Sequence, residues 1–208
     1  MSRYIGPVCR LCRREATKLF LKGEKCYTKC VLDARPTPPG AAKQQRGKPS
    51  EFAIRLREKQ KLRRLAQISE GPMERLMGRA SKASGRTGET LLRYLEMRLD
   101  NVVRRMGFAV SLKSARQIVL HNHVRVNGRA VNIPSFEVRT GDVLSVTAGI
   151  AETITVKQGL EMAEKRKNRP SFLEFNPADM TGKVLREPSR DEMSFPVKEQ
   201  LIVEYYSK

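Results

Sequence analysis

All four cysteines of this 208-residue chain lie near its N-terminus, in two close pairs. Cys9 and Cys12 form a C-x2-C pair, and Cys26 and Cys30 form a C-x3-C pair further on. Two such pairs joined by a short linker allow four thiolates to converge tetrahedrally on one ion. Because disulfides are disfavoured in a reducing cytosol, the spacing predicts a four-cysteine metal knuckle with a structural role. Zinc is the usual occupant, and an iron–sulfur cluster is the alternative cofactor for the same ligands.

The positive charge of the chain is concentrated in its first 150 residues. Lys and Arg number 41 against 22 Asp and Glu, a net charge of +19, and residues 151–208 carry ten of each sign. Self-repulsion of this size is relieved by a polyanion, so nucleic acid is the expected partner. The sequence has no apolar run long enough for a membrane span and no N-terminal signal segment, which predicts a cytoplasmic protein with no membrane partner.

A strongly basic helix is predicted over residues 51–67, with Ser50 as its N-cap. The helix carries six Lys and Arg, whereas Glu58 is the only acid within residues 52–69. So few acids on the same helix leave too few i,i+4 partners for these cations. We therefore interpret the helix as a surface for a polyanion.

The middle of the chain predicts a small α+β unit. Apolar residues from Leu91 to Met106 recur every three or four positions, which predicts one continuous helix. Ser111 can cap a second, short helix over residues 112–121. Asn127-Gly128 is typical of a type I′ turn, which predicts a β-hairpin, and further short strands follow before residue 147.

Residues 31–49 form a connector rich in Pro and Gly. Its second half carries Lys43, Arg46 and Lys48. Such a segment is either a solvated linker or an extended strand that follows phosphates.

No motif in the chain indicates catalysis. A P-loop, a GxSxG elbow and a GxGxxG turn are absent. The triplet His121-Asn122-His123 is similar to a nuclease motif, but the chain contains no other histidine and the triplet only joins a helix to a hairpin. We expect a protein that is not an enzyme.

An RNA-binding module is indicated by residues 98–143, which contain RLDNVVRRMGF, SARQ, VRVNGR and GDV. These stretches resemble the module named after small-subunit ribosomal protein S-4. The similarity extends beyond the module, through RYIGP at 3–7, LREKQKLRR at 56–64, GRTGE at 85–89 and LIVEYYSK at 201–208. The whole chain therefore resembles the bacterial S-4 family of small-subunit ribosomal proteins, in its cysteine-bearing form.

The resemblance implies an α+β fold with four segments. Residues 1–49 would be the four-cysteine knuckle and basic connector, and residues 50–97 a helical rRNA-binding region. Residues 98–160 would be the RNA-binding module, with two helices and a short antiparallel sheet. Residues 161–208 would be a C-terminal helix and tail that pack back on the helical domain.

The resemblance also implies a function. The protein would be a structural constituent of the small ribosomal subunit that binds a helix junction in the 5′ domain of the rRNA and nucleates assembly of the subunit body. It would lie where mRNA enters, beside the third and fifth small-subunit proteins, and with the fifth it would affect translational accuracy. The cations that would grip mRNA are Lys43, Arg46 and Lys48.

Cations presented on rigid elements suit RNA, because side chains recognise A-form RNA by its shape and phosphate positions. We predict rRNA contacts for basic and polar residues of the knuckle, the helices and the module: Arg3, Arg10, Arg13, Arg14, Lys22, Arg55, Arg57, Lys59, Lys61, Arg63, Arg64, Arg79, Lys82, Arg86, Arg104, Arg105, Lys113, Arg116, His121, His123, Arg125, Asn127 and Arg129.

Three other classes compete with this interpretation. An RNA-modifying enzyme with the same module would need a catalytic domain, for which residues 151–208 are too few. A zinc-dependent DNA-binding regulator would show a helix-turn-helix or a dimerisation heptad. A ribosome-rescue factor would resemble only the module. The full-length resemblance favours the ribosomal protein.

Overall fold

The computed structural model describes residues 4–40, 48–165 and 169–207, and the chain divides into two compact units. The first unit comprises residues 1–92 and 195–208, and the second comprises residues 93–194. Helices and an antiparallel sheet together confirm the predicted α+β class. Within the described ranges, every helix is too short or too polar to cross a lipid bilayer.

The described helices are, in chain order, α1 (Cys9–Glu15), α2 (Lys25–Thr28), α3 (Val31–Ala34), α4 (Glu51–Leu65), α5 (Glu70–Ala80), α6 (Thr87–Glu96), α7 (Leu99–Met106), α8 (Leu112–Leu120), α9 (Ala148–Ala151), α10 (Ile154–Lys165) and α11 (Glu199–Tyr206). The strands are β1 (Val124–Val126), β2 (Arg129–Ala130), β3 (Val143–Val146), β4 (Leu173–Asn176) and β5 (Thr181–Val184). A 3₁₀ turn spans Arg190–Glu192.

The predicted caps are present. The hydroxyl of Ser50 accepts a hydrogen bond of 3.2 Å from the Ala53 amide at the start of α4. The hydroxyl of Ser111 likewise accepts one of 3.2 Å from the Ser114 amide at the start of α8. Each hydroxyl satisfies an amide that has no partner inside its helix, so these two helices begin where the sequence predicts.

In the first unit, α11 packs along α4. The Lys198 amide donates to Glu58 of α4 at 2.8 Å, and the Arg55 guanidinium lies 2.6 Å from the Glu204 carboxylate of α11. A small apolar cluster joins the N-terminal segment to the other end of α4, because Val8, Leu19 and Leu21 are buried and Leu65 packs against them. Helix α11 thus packs against α4 within the first unit.

In the second unit, the five strands form one antiparallel sheet in the order β2-β1-β3-β5-β4. The hairpin prediction is confirmed, since Arg125 faces Ala130 across the turn and both Asn127 and Gly128 have positive φ values of 49° and 79°. A type I′ turn requires a positive φ at both central positions, which Asn and Gly tolerate.

The core of the second unit lies between its helices and one face of the sheet. Buried residues come from α7 (Leu99, Val102, Val103, Met106), from α8 (Ala115, Ile118, Val119) and from four strands (Val124, Val126, Leu144, Leu173, Val184). In β1 the burial alternates, with Arg125 exposed between two buried valines. This alternation leaves the polar face of the hairpin in solvent.

The prediction of one continuous helix from Leu91 to Met106 is wrong. Arg98 is extended, with φ −68° and ψ 140°, and it separates α6 from α7. Arg98 forms an antiparallel bridge with Glu137, and the Leu99 amide donates to the Phe136 carbonyl at 2.8 Å. Both helices bury their apolar residues, so the spacing from Leu91 to Met106 stays regular across Arg98. The spacing alone therefore could not reveal where α6 ends and α7 begins.

The structure also divides residues 161–208 differently from the expected single tail. Strands β4 and β5 belong to the second unit, where β5 pairs with β3 and extends the sheet. Only residues 195–208 belong to the first unit. Strand β3 pairs with β1 on one side, and its other edge has backbone N–H and C=O groups that β5 can pair with. This pairing places β4 and β5 in the second unit.

We predict that Gly159→Ala destabilises the second unit by about 1–3 kcal/mol, since added bulk in a tight contact forces the backbone apart. A Cβ at Gly159 of α10 would collide with the carbonyl oxygen of Gly107 and lie 3.1 Å from the amide nitrogen of Ala109. Urea unfolding measures this change. Gly149→Ala in α9 is the control, because its Cβ would meet nothing within 4 Å. Equal effects of the two substitutions would contradict the close contact.

Candidate nucleic-acid interface

Lys59, a predicted RNA contact, is buried inside the first unit. It is 4 % exposed, and its ammonium lies 2.7 Å from the Glu70 carboxylate and 4.4 Å from the centre of the Tyr205 ring. Burial tends to raise the pKa of Glu70, but hydrogen bonds from Lys59 and Tyr206 outweigh it and hold that pKa below its usual value. Lys59 therefore joins α4, α5 and α11 rather than facing a ligand.

The other cations of α4 also have acidic partners, so the interpretation of unpaired charge on this helix is wrong. The pairs are Arg55 with Glu204, Arg57 and Arg64 with Glu15, Lys61 with Glu58, and Arg63 with Glu70. Most of these acids lie on other elements, and an acid count along α4 could not reveal them. Burial also lowers the pKa of Arg64, which indicates a side chain largely withdrawn from water.

Three predicted cations of the N-terminal segment remain available. Arg10, Arg14 and Lys22 are exposed, and no acidic side chain in the described ranges pairs with them. Arg13 has a structural role instead, because its guanidinium donates to the carbonyls of Thr37 and Pro38 at 2.8 and 3.4 Å. Those contacts hold the start of the connector against α1.

The four cysteines are free thiols close enough to influence one another. Cys12 and Cys26 are buried, Cys9 and Cys30 are half-buried, and the Lys22 amide donates to the Cys26 sulfur at 3.3 Å. Burial raises the pKa of Cys12 and of Cys26, and the neighbouring thiols raise both further. The donor chemistry therefore suits a soft cation, whose charge would offset that repulsion.

The structure nevertheless does not reproduce a complete metal knuckle. Across residues 4–40, 48–165 and 169–207, no three His, Cys, Asp or Glu side chains are arranged to hold a metal ion.

The predicted cations around the end of α5 lie at the surface. Arg79 and Lys82 are exposed, and Arg86, whose side chain is 84 % exposed, pairs with Glu89 at 3.0 Å. An exposed pair of this kind contributes little to stability, so Arg86 can exchange Glu89 for a phosphate at small cost.

Arg116, a predicted RNA contact in the second unit, belongs to a buried ion cluster. Asp100 is 1 % exposed and accepts two hydrogen bonds from Arg98, at 3.1 and 2.9 Å, and a third from Arg116 at 2.6 Å. This cluster joins the start of α7 to α8. Two arginines on one carboxylate fix the two helices of the module to each other.

Arg104 and Arg105 are likewise engaged within the second unit. Arg104 donates to Asn101 at 2.9 Å and to the Ser194 hydroxyl at 3.2 Å. Arg105 donates to the Glu192 carbonyl at 2.5 Å and pairs with the fully buried Glu96 at 2.9 Å. Both arginines hold the chain near residue 193 against α7, which is a structural role that the sequence did not indicate.

The exposed cations of the module lie on α8 and on the β1–β2 hairpin. Lys113 of α8 is half-exposed, and His121 at its end is exposed. Arg125 and Arg129 of the hairpin are exposed, and none of the described acids pairs with either of them or with Lys113. We call Lys113, Arg125 and Arg129 the module cations.

Two predicted polar contacts of the module have intramolecular roles. The side-chain amide of Asn127 donates to Asp142 at 2.8 Å, and its oxygen accepts from the Val143 amide at 2.9 Å. His123 is half-buried, with its Nδ1 3.3 Å from the Thr147 hydroxyl. Asn127 therefore ties the hairpin turn to β3, and the exposed histidine of the triplet is His121.

Three of the predicted contacts, Arg3, Lys43 and Arg46, lie outside the described residues, and Lys48 is exposed. The structure adds exposed cations that the sequence list omitted, namely Lys25, Lys29 and Arg139. Lys25 and Lys29 could have been predicted from the sequence, because each lies next to a cysteine of the second pair. The exposure of Arg139 depends on the turn in which its amide donates to Asp142, and the sequence did not place this residue among the RNA contacts.

Together, a cysteine-rich basic segment, a helical unit and a small module with free cations on a helix and a hairpin define an RNA-binding protein. Residues 3–96 match the family described as "Ribosomal protein S4/S9 N-terminal domain", and residues 97–144 match the "S4 domain". The boundary between the two matches falls at the break that separates α6 from α7.

Relatives of the same length support this assignment. The chain is 54 % identical over 209 residues to the small ribosomal subunit protein uS4A of Symbiobacterium thermophilum, 52 % identical over 210 residues to uS4 of Thermus thermophilus, and 49 % identical over 209 residues to uS4 of Thermodesulfovibrio yellowstonii. Each comparison covers all of both chains. The chain belongs to the ribosomal protein S4 family, whose members are structural proteins and not enzymes.

We predict that Asp100→Asn destabilises the second unit by about 3–5 kcal/mol, because the buried Arg98 and the half-buried Arg116 lose their counter-charge. Urea unfolding followed by circular dichroism gives the change. Glu187→Gln is the matched control: Glu187 pairs with Arg93 at 2.5 Å, but its side chain is 59 % exposed. Loss of such an exposed pair costs under about 1 kcal/mol. A control as damaging as Asp100→Asn would refute the argument from burial.

Proposed function

We propose that this protein is a structural constituent of the cytoplasmic small ribosomal subunit and binds small-subunit rRNA. The observation that carries the proposal is the set of module cations, which are held on rigid elements and have no acidic partner in the described part of the chain. Full-length similarity to proteins named uS4 supports it.

Binding by the module would depend on phosphate position. The hairpin is fixed by its ladder with β3 and by the side chain of Asn127, so Arg125 and Arg129 project from a rigid support. Arg98, Asp100 and Arg116 fix α8, which carries Lys113. Cations held in this way match a defined arrangement of RNA phosphates with little loss of conformational entropy.

The N-terminal segment would supply a second contact through Arg10, Arg14 and Lys22. Two separate sets of free cations suit a junction, where phosphates of several helices come together. We therefore propose the finer role of a primary binder that recognises a junction in the 5′ domain and nucleates assembly of the subunit body. Primary binding requires that the protein recognise rRNA without other proteins.

The connector would act at a different place. We propose that Lys43, Arg46 and Lys48 contact mRNA where it enters the subunit, that the protein adjoins the third and fifth small-subunit proteins, and that its contact with the fifth affects accuracy. The three cations within six residues, with Lys48 exposed, support the mRNA contact. The neighbours rest on the family resemblance.

We also propose that Cys9, Cys12, Cys26 and Cys30 hold one zinc ion, with an iron–sulfur cluster as the alternative. Two buried thiols, amide donation to the Cys26 sulfur and mutual electrostatic influence support a thiolate ligand set. Four protein ligands leave no open coordination position, so the ion would stabilise the fold and take no part in a reaction.

A filter-binding titration tests the rRNA proposal. The purified protein should bind isolated 5′-domain rRNA in the nanomolar range in the presence of excess tRNA and double-stranded DNA. If unlabelled rRNA, tRNA and double-stranded DNA displace the bound rRNA equally well, the binding reflects only the general attraction of a +19 chain for polyanions.

The variant Arg125→Ala/Arg129→Ala should weaken this binding and reduce the slope of log K against log salt by about 1.4–1.8, since each lost phosphate contact removes about 0.7–0.9. The control is Lys157→Ala/Lys165→Ala, which removes the same charge from exposed positions on α10. If both double variants lower the slope equally, the module cations have no special role.

Cys9→Ser should lower the metal content from about one ion per chain to near zero, because three thiolates bind zinc far less tightly than four. Atomic emission gives zinc and iron, and visible absorption distinguishes an iron–sulfur cluster. Thr17→Ser is the control in the same segment. A wild-type protein that contains neither metal after purification without chelators would refute the knuckle.

A further inference from the structure

Two aromatic rings lie stacked and exposed in the N-terminal segment. The ring centres of Phe20 and Tyr27 are 4.6 Å apart with an interplanar angle of 28°, and the two residues are 42 % and 49 % exposed. Exposure of this extent leaves a planar apolar surface in water, which is a cost in the free protein.

The fold holds the two rings outward. Leu19 and Leu21 are buried in the core of the segment, so Phe20 between them points away from it. Phe20 has a φ of 50°, a left-handed conformation that bulky side chains rarely adopt. Tyr27 follows the buried Cys26, whose sulfur accepts from the Lys22 amide at 3.3 Å. An unfavourable backbone conformation that exposes an apolar ring is typical of a binding site.

The surroundings of the rings are positive. Lys22, Lys25 and Lys29 are exposed, each lies within two residues of one ring in sequence, and no described acid pairs with them. Residues 4–40 contain eight basic and three acidic side chains. An apolar plane bordered by free cations complements a nucleotide, which offers a flat base and a phosphate, better than it complements a protein surface.

We propose that the Phe20–Tyr27 pair is a stacking platform for an unpaired RNA base, with Lys22, Lys25 and Lys29 available to the neighbouring phosphates. The proposal rests on the proposed function for the identity of the polyanion, and it assigns to this segment a contact with a base in addition to contacts with the backbone. Stacking requires no particular base, since every base has a π face. The platform would therefore recognise that a nucleotide is unpaired and not which nucleotide it is.

Fluorescence tests the contact directly, because the chain contains no Trp. In the full-length Tyr27→Trp variant the new indole is the only one, and base stacking should quench its emission about twofold or more. The control is Ile5→Trp, at a position 85 % exposed in the same unit and outside the ring pair. The probes are 5′-domain rRNA and a twelve-nucleotide oligoadenylate. Quenching confined to Tyr27→Trp supports the platform, whereas equal quenching in both variants, or none, overturns it.

Affinity supplies the second measurement. Phe20→Leu/Tyr27→Leu removes the rings but no charge, so binding of 5′-domain rRNA should weaken about tenfold while the salt slope stays unchanged. Tyr27→Phe keeps the ring and should bind like wild type. Unchanged affinity in the leucine variant overturns the platform. A lower salt slope in the leucine variant also overturns it, because the rings would then only support the lysines. Weaker rRNA binding by Tyr27→Phe overturns it as well, because the hydroxyl and not the ring would make the contact.

The two probes separate this proposal from the proposed function. Oligoadenylate quenching that persists when 5′-domain rRNA shows no preference over tRNA would keep the platform and refute selective rRNA binding. Selective rRNA binding without quenching in Tyr27→Trp would keep the function and refute the platform.

Discussion

The best-buried carboxylates of this protein each pair with arginine, and this pairing determines which cations remain for a ligand. Glu15 accepts from two arginines of α4, Asp100 from two arginines of the module, and Glu96 pairs with Arg105. A buried carboxylate without such partners would cost several kcal/mol. Each of these three acids holds one or two arginines inside the fold, and the unpaired positive charge is left at the surface.

Because many cations pair with acids inside the fold, a high density of Lys and Arg in the sequence does not by itself mark a surface for a ligand. The most cationic helix, α4, is a structural element whose charges connect α1, α5 and α11 within the first unit. The hairpin carries fewer cations, but Arg125 and Arg129 have no acidic partner in the described ranges. The proposed rRNA contacts are therefore selected by freedom from internal pairing and not by the density of charge along the sequence.

The N-terminal segment has too small an apolar core to be stable by burial alone. Its apolar core is small, since Val8, Cys12, Leu19 and Leu21 are its buried members, and a core of this size gives little stability. A bound cation among the four thiols would supply what burial does not. The same segment exposes Phe20 and Tyr27 beside free lysines, so stability from a metal would leave its apolar side chains available for a ligand.

The sequence by itself determined the local features: the caps at Ser50 and Ser111, the Asn127-Gly128 turn, and the family through motifs along the whole chain. Each depends on residues only a few positions apart. The tertiary structure decided the break at Arg98, the addition of β4 and β5 to the sheet, and the partners of the cations. Arg55 and Glu204 are 149 residues apart, and such a pair exists only after packing has brought distant segments together.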